Sequence, residues 1–276
     1  MLKKLLPKLI GKYINTLSLF SKRRAAEKAF DIFCTVRRGR IKEDQKEFLF
    51  PAKDTQLVVD GNPVQTYHWY GTGAKVLLIH GWESNTHRWW KLIADLQQLD
   101  YDIYAFDAPA HGASSGTLLN VPLYTKALEA VTSHYKPDYH IAHSIGGLTA
   151  IYHYHTHTPK HVSKIVTLGA ASELSEIMVD YQHILGLSNK VMHALEHHLE
   201  CNYGFTFKQF SGSAFAKSIT VPGLIIHDKD DTITPVAASR TIHNNWKNSN
   251  YIETTGLGHS LYQDEIRQAI LKFLKQ

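Results

Sequence analysis

Short apolar runs recur along the chain, separated by longer stretches with helical spacing. Val76-Leu77-Leu78-Ile79-His80 is an unbroken run ending at Gly81. Asp102–Phe106, Tyr139–His143, Lys164–Leu168 and Leu224–His227 are further short apolar or aromatic runs, each followed by turn residues. Continuous runs of this length suit strands buried on both faces. Between most of them, residues 87–98, 121–135, 145–157, 236–247 and 262–275 carry helical patterns. Gln56–Asp60 and Gln65–Trp69 flank Gly61-Asn62-Pro63 and predict an antiparallel hairpin. Strand–helix alternation of this kind predicts an α/β fold, a mostly parallel central sheet with helices on both faces. Such sheets place ligands beyond the carboxyl ends of their strands.

Two segments depart from the alternation. At the start, Leu2, Leu5, Leu6, Leu9, Ile10, Tyr13, Ile14, Leu17 and Phe20 recur at helical spacing, with Lys3, Lys4, Lys8 and Lys12 between them. Pro7 falls inside this pattern and weakens its first two turns. The pattern predicts a basic amphipathic helical arm within residues 1–50, ahead of a domain spanning 51–276. The lysines break the apolar stretch a signal peptide needs, and no window approaches the ~18 apolar residues of a membrane span. The arm's apolar face can pack on the main domain or lie on an anionic membrane surface. The second departure is an insertion of roughly residues 172–217, with helical patterns at Leu174–Leu185 and Asn189–Cys201 and then Tyr203, Phe205, Phe207, Phe210 and Phe215.

Charge sharpens this division. The chain has 276 residues and a formal net charge of +5. Residues 1–50 hold eight Lys and five Arg against five acidic residues, a net +8, and the remaining 17 basic and 20 acidic side chains give −3. The basic balance belongs to the arm, which argues against a nucleic-acid-binding body. A hydrophobic fraction of 43% excludes wholesale disorder. Cys34 and Cys201 form neither a disulfide framework nor a zinc-type pair, and both are expected to be packed thiols. Few cysteines and no signal pattern point to the cytoplasm.

Three strand ends carry reactive chemistry. Tyr139-His140-Ile141-Ala142-His143 leads into Ser144-Ile145-Gly146-Gly147. A strand, a serine among small residues and then a helix is a nucleophile-elbow arrangement. The turn is so tight that β-carbons beside the serine would strike the facing elements. It lifts the hydroxyl off the sheet, next to a helix amino end whose free N–H groups stabilise a developing oxyanion. Ala142 stands where the first glycine is usual, which predicts a slightly shifted turn. Leu224-Ile225-Ile226-His227 leads into a turn with three carboxylates, Asp228, Asp230 and Asp231. A serine nucleophile needs a general base, and the base needs a carboxylate to fix its tautomer. Tyr251-Ile252-Glu253-Thr254 leads into Gly256-Leu257-Gly258-His259, a glycine-bracketed loop presenting one histidine.

Over residues 56–276 the sequence resembles the α/β-hydrolase family. The resemblance rests on Leu78-Ile79-His80-Gly81-Trp82, Phe106-Asp107-Ala108-Pro109-Ala110-His111-Gly112, Ala142–Gly147, Ile226–Pro235 and Gly258-His259, in the family's order. It implies Ser144 as nucleophile and His259 as general base. The family's acid lies four residues after the strand-ending histidine, which gives Asp231, with Asp230 and Asp228 as alternatives. It also implies an oxyanion hole from the backbone N–H groups of Trp82 and Ile145, and an insertion serving as a small cap. The implied function is a serine hydrolase cleaving a carboxylic ester or related acyl bond, with no metal or organic cofactor. Its substrate would be a small molecule with an apolar portion. Acyl transfer, thioester hydrolysis and carbon–carbon bond hydrolysis suit the same triad, and a non-catalytic binding protein suits the same fold. Serine at the elbow argues against the family's dehalogenases and epoxide hydrolases, which use aspartate there.

The remaining motifs have plainer readings. His153 and His157 stand four apart, as metal ligands on a helix often do, but no acidic residue or cysteine is near them in sequence. With His155 and His161 they are expected to be solvated, and no metal is expected. His143 is expected to fill the elbow, and His111 to hold its own loop. Gly71-Thr72-Gly73-Ala74-Lys75 lacks the spacing of a phosphate-binding loop.

Overall fold

The computed structural model describes residues 2–276, without the side chains of residues 2–4, 53 and 54. The first half of the chain forms α1 (Leu2–Phe20), α2 (Lys22–Cys34), α3 (Glu43–Leu49), β1 (Lys53–Val59), β2 (Asn62–Trp69), β3 (Lys75–Ile79), α4 (Trp90–Gln98), β4 (Asp102–Phe106) and α5 (Val121–Tyr135). The second half forms β5 (Tyr139–His143), α6 (Ile145–His157), β6 (Lys164–Leu168), α7 (Leu174–Leu185), α8 (Asn189–Tyr203), α9 (Gly212–Phe215), β7 (Gly223–Asp228), α10 (Val236–Asn245), β8 (Ser249–Thr254) and α11 (Asp264–Leu274). Two compact units result: a helical unit made of the chain up to Thr35 with Glu173–Ser211, and an α/β unit made of Val36–Ser172 with Gly212–Gln276.

The α/β unit holds one eight-stranded sheet in the order β1-β2-β4-β3-β5-β6-β7-β8. The β1–β2 and β2–β4 pairs are antiparallel and the others parallel. Strand period two divides its core. Leu77 and Ile79 pack with Phe106, Tyr124, Leu128, Ile151 and Trp246 on one face, and Val76 and Leu78 pack with Ile93, Leu96, Ile103, Ile266 and Ile270 on the other. This explains why the parallel strands read as unbroken apolar runs. The chain order reverses at β3, between β4 and β5, which opens a crevice at the carboxyl ends of β3 and β5.

One expected turn is corrected. The hairpin reverses at Asp60-Gly61, with φ of 48° and 77°, and Asn62 and Pro63 already pair with Val59 and Val58. Asp-Gly suits the two left-handed positions that match strand twist, whereas proline cannot occupy either.

The helical unit has its own core. Ile14 of α1 is fully buried with Ala25 and Ala29 of α2, Met178 and Leu185 of α7, and Val191 and Leu195 of α8. Asn15 bridges these helices, donating to Gly186 O at 2.9 Å and accepting from Ser188 N at 2.8 Å. The arm's first 34 residues and the insertion, distant in sequence, therefore share one core. Among the described residues no helix is long and apolar enough to cross a membrane.

Candidate active site

Ser144 sits between β5 and α6 with φ 56° and ψ −124°, a conformation costly for a residue with a β-carbon. The neighbouring contacts enforce it. Ser144 N donates to Leu168 O at 2.9 Å, continuing the sheet, and Gly147 N donates to Ser144 O at 2.9 Å, starting the helix. A β-carbon at Gly146 would lie 2.4 Å from His80 O, so only glycine lets α6 approach the end of β3. Ala142, where a glycine is usual, keeps regular pairing with Ile79 and Thr167. Its side chain fits within the core beside Ile79.

Three strand ends meet at this serine. Ser144 Oγ lies 3.0 Å from His259 Nε2, and His259 Nδ1 lies 2.7 Å from Asp231 Oδ2. Of the three candidate carboxylates, Asp231 alone reaches the histidine. Asp228 instead accepts from Thr254 Oγ1 and Leu257 N, and Asp230 accepts from Gly256 N. These two fasten the loop that carries His259.

Asp231 is held in place and held ionised. Ile233 N and Thr234 N donate to its Oδ1 at 2.8 and 3.0 Å, and Thr234 Oγ1 donates to Oδ2 at 2.8 Å. His227 Nε2 stands 3.2 Å from the same Oδ2. Burial pushes the carboxyl's pKa up, but the bonds from His227, His259 and the two backbone N–H groups outweigh it and hold the group well below the usual carboxylate range.

The histidine's loop is tied down twice. His143 Nε2 donates to His259 O at 2.9 Å, and burial, reinforced by nearby Arg88, drives the His143 pKa far down, so the ring stays neutral. Arg88 is itself buried, with its guanidinium 4.4 Å from the Trp89 ring and 4.9 Å from the Tyr262 ring. Its Nη2 donates to Ser260 O at 2.9 Å. Arg88 lies 172 residues before Ser260, so no sequence pattern links the two.

The end of β3 beside Ser144 is equally well braced. The backbone N–H groups of Trp82 and Ile145, at the end of β3 and the start of α6, have no protein acceptor among the described residues. His80 Nδ1 donates to Gly81 O at 2.8 Å and its Nε2 accepts from Ala108 N at 2.9 Å. His111 Nε2 accepts from Glu83 N at 2.9 Å and its Nδ1 donates to Pro109 O at 2.9 Å. Both patterns require a neutral ring with its proton on Nδ1. Burial lowers each pKa to about 4, consistent with that tautomer. His111 therefore anchors the loop after β3 as well as its own, a role that its sequence neighbourhood did not reveal.

Other expectations fare differently. Cys34 is buried, but Cys201 is exposed, so only the first is a packed thiol. His153 is fully buried and bonded to Glu129, which corrects the expectation of a solvated histidine. The helical unit has a cavity of about 380 Å³ between α7 and α8, lined by residues including Met178, Gln182, Met192 and Phe207; Ser144, Asp231 and His259 do not line it.

The strand order, with a strained serine after β5 and a histidine after β8, defines an α/β-hydrolase fold. A family model described as alpha/beta hydrolase fold matches residues 75–185. The chain is 24% identical to a non-heme haloperoxidase of Rhodococcus erythropolis, covering 78% of this chain and 97% of that protein. Two solved structures superpose closely. A bromoperoxidase from Bacillus anthracis does so with TM-score 0.62 and 19% identity over 81% of this chain and 100% of its own. An esterase from a Rhodococcus species does so with TM-score 0.63 and 17% identity over 82% of this chain and 98% of its own. The chain has the α/β-hydrolase fold.

Proposed function

We propose that the protein is a serine hydrolase that cleaves carboxylic esters through an acyl-enzyme on Ser144. The observation that carries this reading is the unbroken path from Ser144 Oγ through His259 to Asp231, with steps of 3.0 and 2.7 Å. In the proposed reaction Ser144 Oγ attacks the acyl carbon while its proton passes to His259 Nε2. Asp231 holds the Nδ1 tautomer and stabilises the imidazolium. The tetrahedral oxyanion accepts from Trp82 N–H and Ile145 N–H, aided by the amino end of α6. Collapse expels the alcohol with the proton from His259. Water, deprotonated by the same nitrogen, then releases the acid and restores Ser144.

A panel of p-nitrophenyl esters of increasing acyl length tests this reading. Hydrolysis of at least one ester, abolished in Ser144→Ala, is expected. No hydrolysis of any ester, thioester or carbon–carbon substrate by folded protein would favour a binding role on this fold. The names of the relatives add a separate assay, peroxide-dependent halogenation, which the ester reading expects to be slower than hydrolysis.

A second reading concerns the arm. Leu5, Leu6, Leu9, Tyr13 and Phe20 of α1 are exposed, between 53% and 84%, alongside the exposed Lys8 and Lys12 and the basic start of α2. An apolar stripe bordered by cations suits an anionic lipid surface. We infer peripheral docking through residues 1–20. The protein should float with anionic vesicles and stay behind with neutral ones, and Leu9→Glu should reduce flotation; equal recovery of both proteins would overturn it.

A further inference from the structure

The carboxyl half of α6 carries a second cluster of titratable groups, unrelated to the triad. His153 and His157 lie one helical turn apart, with rings 5.1 Å between centroids. Glu129 of α5 completes the group, its Oε2 2.6 Å from His153 Nε2. One donor atom from each of the three side chains lies within 4.8 Å of the other two. The three differ in burial: His153 is fully buried, Glu129 half-buried and His157 exposed, so the cluster opens to solvent on one side.

We propose that Glu129, His153 and His157 form a binding site for one divalent transition-metal ion of the zinc type. Two imidazoles and one carboxylate supply three ligands and leave a fourth position for water. Nitrogen donors disfavour magnesium and calcium, which prefer oxygen alone. A tetrahedral zinc, with bonds of about 2.0–2.2 Å, sets its donors about 3.3 Å apart. Glu129 thus withdraws slightly from its present contact while the exposed His157 side chain closes in.

The surroundings favour the site. Ser133 Oγ donates to Glu129 Oε1, which leaves Oε2 turned to the histidines. His153 Nδ1 and His140 Nδ1 are both buried without a partner, in rings 5.9 Å apart between centroids. A metal on His153 Nε2 moves the ring proton to Nδ1, where a small ring shift lets it donate to His140. Metal-bound histidines usually donate their second nitrogen in this way. The ion joins α5 to α6, the helix that begins at Ser144.

Zinc titration of the chelator-stripped full chain, read by calorimetry, tests the site. Expected is one saturable zinc per chain and no saturable magnesium. His157→Ala and Glu129→Gln, both at positions with solvent access, should each weaken zinc by ~10²-fold or more, since loss of even an outer partner costs about 10–100-fold. Zinc should raise the melting temperature of the native chain and not that of His157→Ala. His155→Ala, on the same helix, and His197→Ala, on α8, should bind zinc as the native chain does. Undiminished binding in His157→Ala, binding lost in either control, or no saturable zinc at all would overturn the proposal.

Discussion

Helix α6 has chemistry at both ends, and the two ends are built on different principles. At its amino end, partners 28 to 172 positions apart in sequence converge on Ser144 and the loop of His259. The reacting groups there are held by many bonds: Asp231 accepts from Ile233 N, Thr234 N, Thr234 Oγ1 and His259 Nδ1, and the rings of His80 and His111 use both nitrogens, although His143 Nδ1 and Arg88 Nη1 are buried with no partner among the described residues. At its carboxyl end, Glu129, His153 and His157 come from two adjacent helices, and Nδ1 of His153 and of the neighbouring His140 have no partner among the described residues. A site for covalent catalysis has to hold its groups in one geometry before substrate arrives. A site for an ion can leave donors unsatisfied until the ion supplies the missing interaction.

Breaking each end in turn sharpens the comparison. Ser144→Ala should lower ester turnover by about 10⁶-fold, as loss of a serine nucleophile does, and leave zinc affinity unchanged. Asp231→Asn should retain the fold and lower kcat by about 10⁴-fold, because the amide stabilises the wrong histidine tautomer. Steady-state kinetics with a p-nitrophenyl ester measures both.

Acid should undo the amino end through its neutral histidines. His80 and His111 have folded-state pKa values lowered by burial from 6.5 to about 4. The unfolded chain therefore takes up their protons first. Their contribution is complete above pH 6.5 and lost as pH falls toward 4, by up to about 3 kcal/mol each. Denaturant melts across that window should show the loss, and His111→Gln should make it shallower. An unchanged slope would contradict the assigned tautomer.

Smaller effects discriminate further. Arg88→Met removes the bond to Ser260 O while keeping an apolar filler between the two rings. It should lower kcat about tenfold, the equivalent of ~1.4 kcal/mol, with little change in KM. An equal rise in KM would mean that Arg88 contacts substrate instead of holding the loop. His157→Ala should change turnover less than any of these, within about twofold.

Most strands and helices of the α/β unit were legible in the sequence, because each buried strand is an unbroken apolar run and each helix an amphipathic stretch. Helix α5 follows its pattern from Val121 to Tyr135, opened by Asn120, whose side chain accepts from Leu123 N at 2.9 Å. The hairpin turn was misplaced because Pro63 is a stronger visual marker than Asp60-Gly61, although only the latter pair fits two left-handed positions. The short helix α3 left no readable periodicity over its seven residues. In the candidate site, Ser144 and His259 stood out because tight turns leave glycine signatures beside them. Arg88 left none, since a buried partner is chosen by its position in space; His227 and Thr234 marked where Asp231 stands, but their bonds to it were not legible. Glu129 was missed for the same reason: it meets His153 across two helices, 24 residues away.

The central claim is that Ser144 is an activated nucleophile, and a fluorophosphonate probe tests it most directly. The account predicts one adduct per chain, located at Ser144 by peptide mass spectrometry, formed rapidly by the native protein and much more slowly by His259→Ala. Folded native protein that stays unlabelled, or is labelled at another residue, would contradict it.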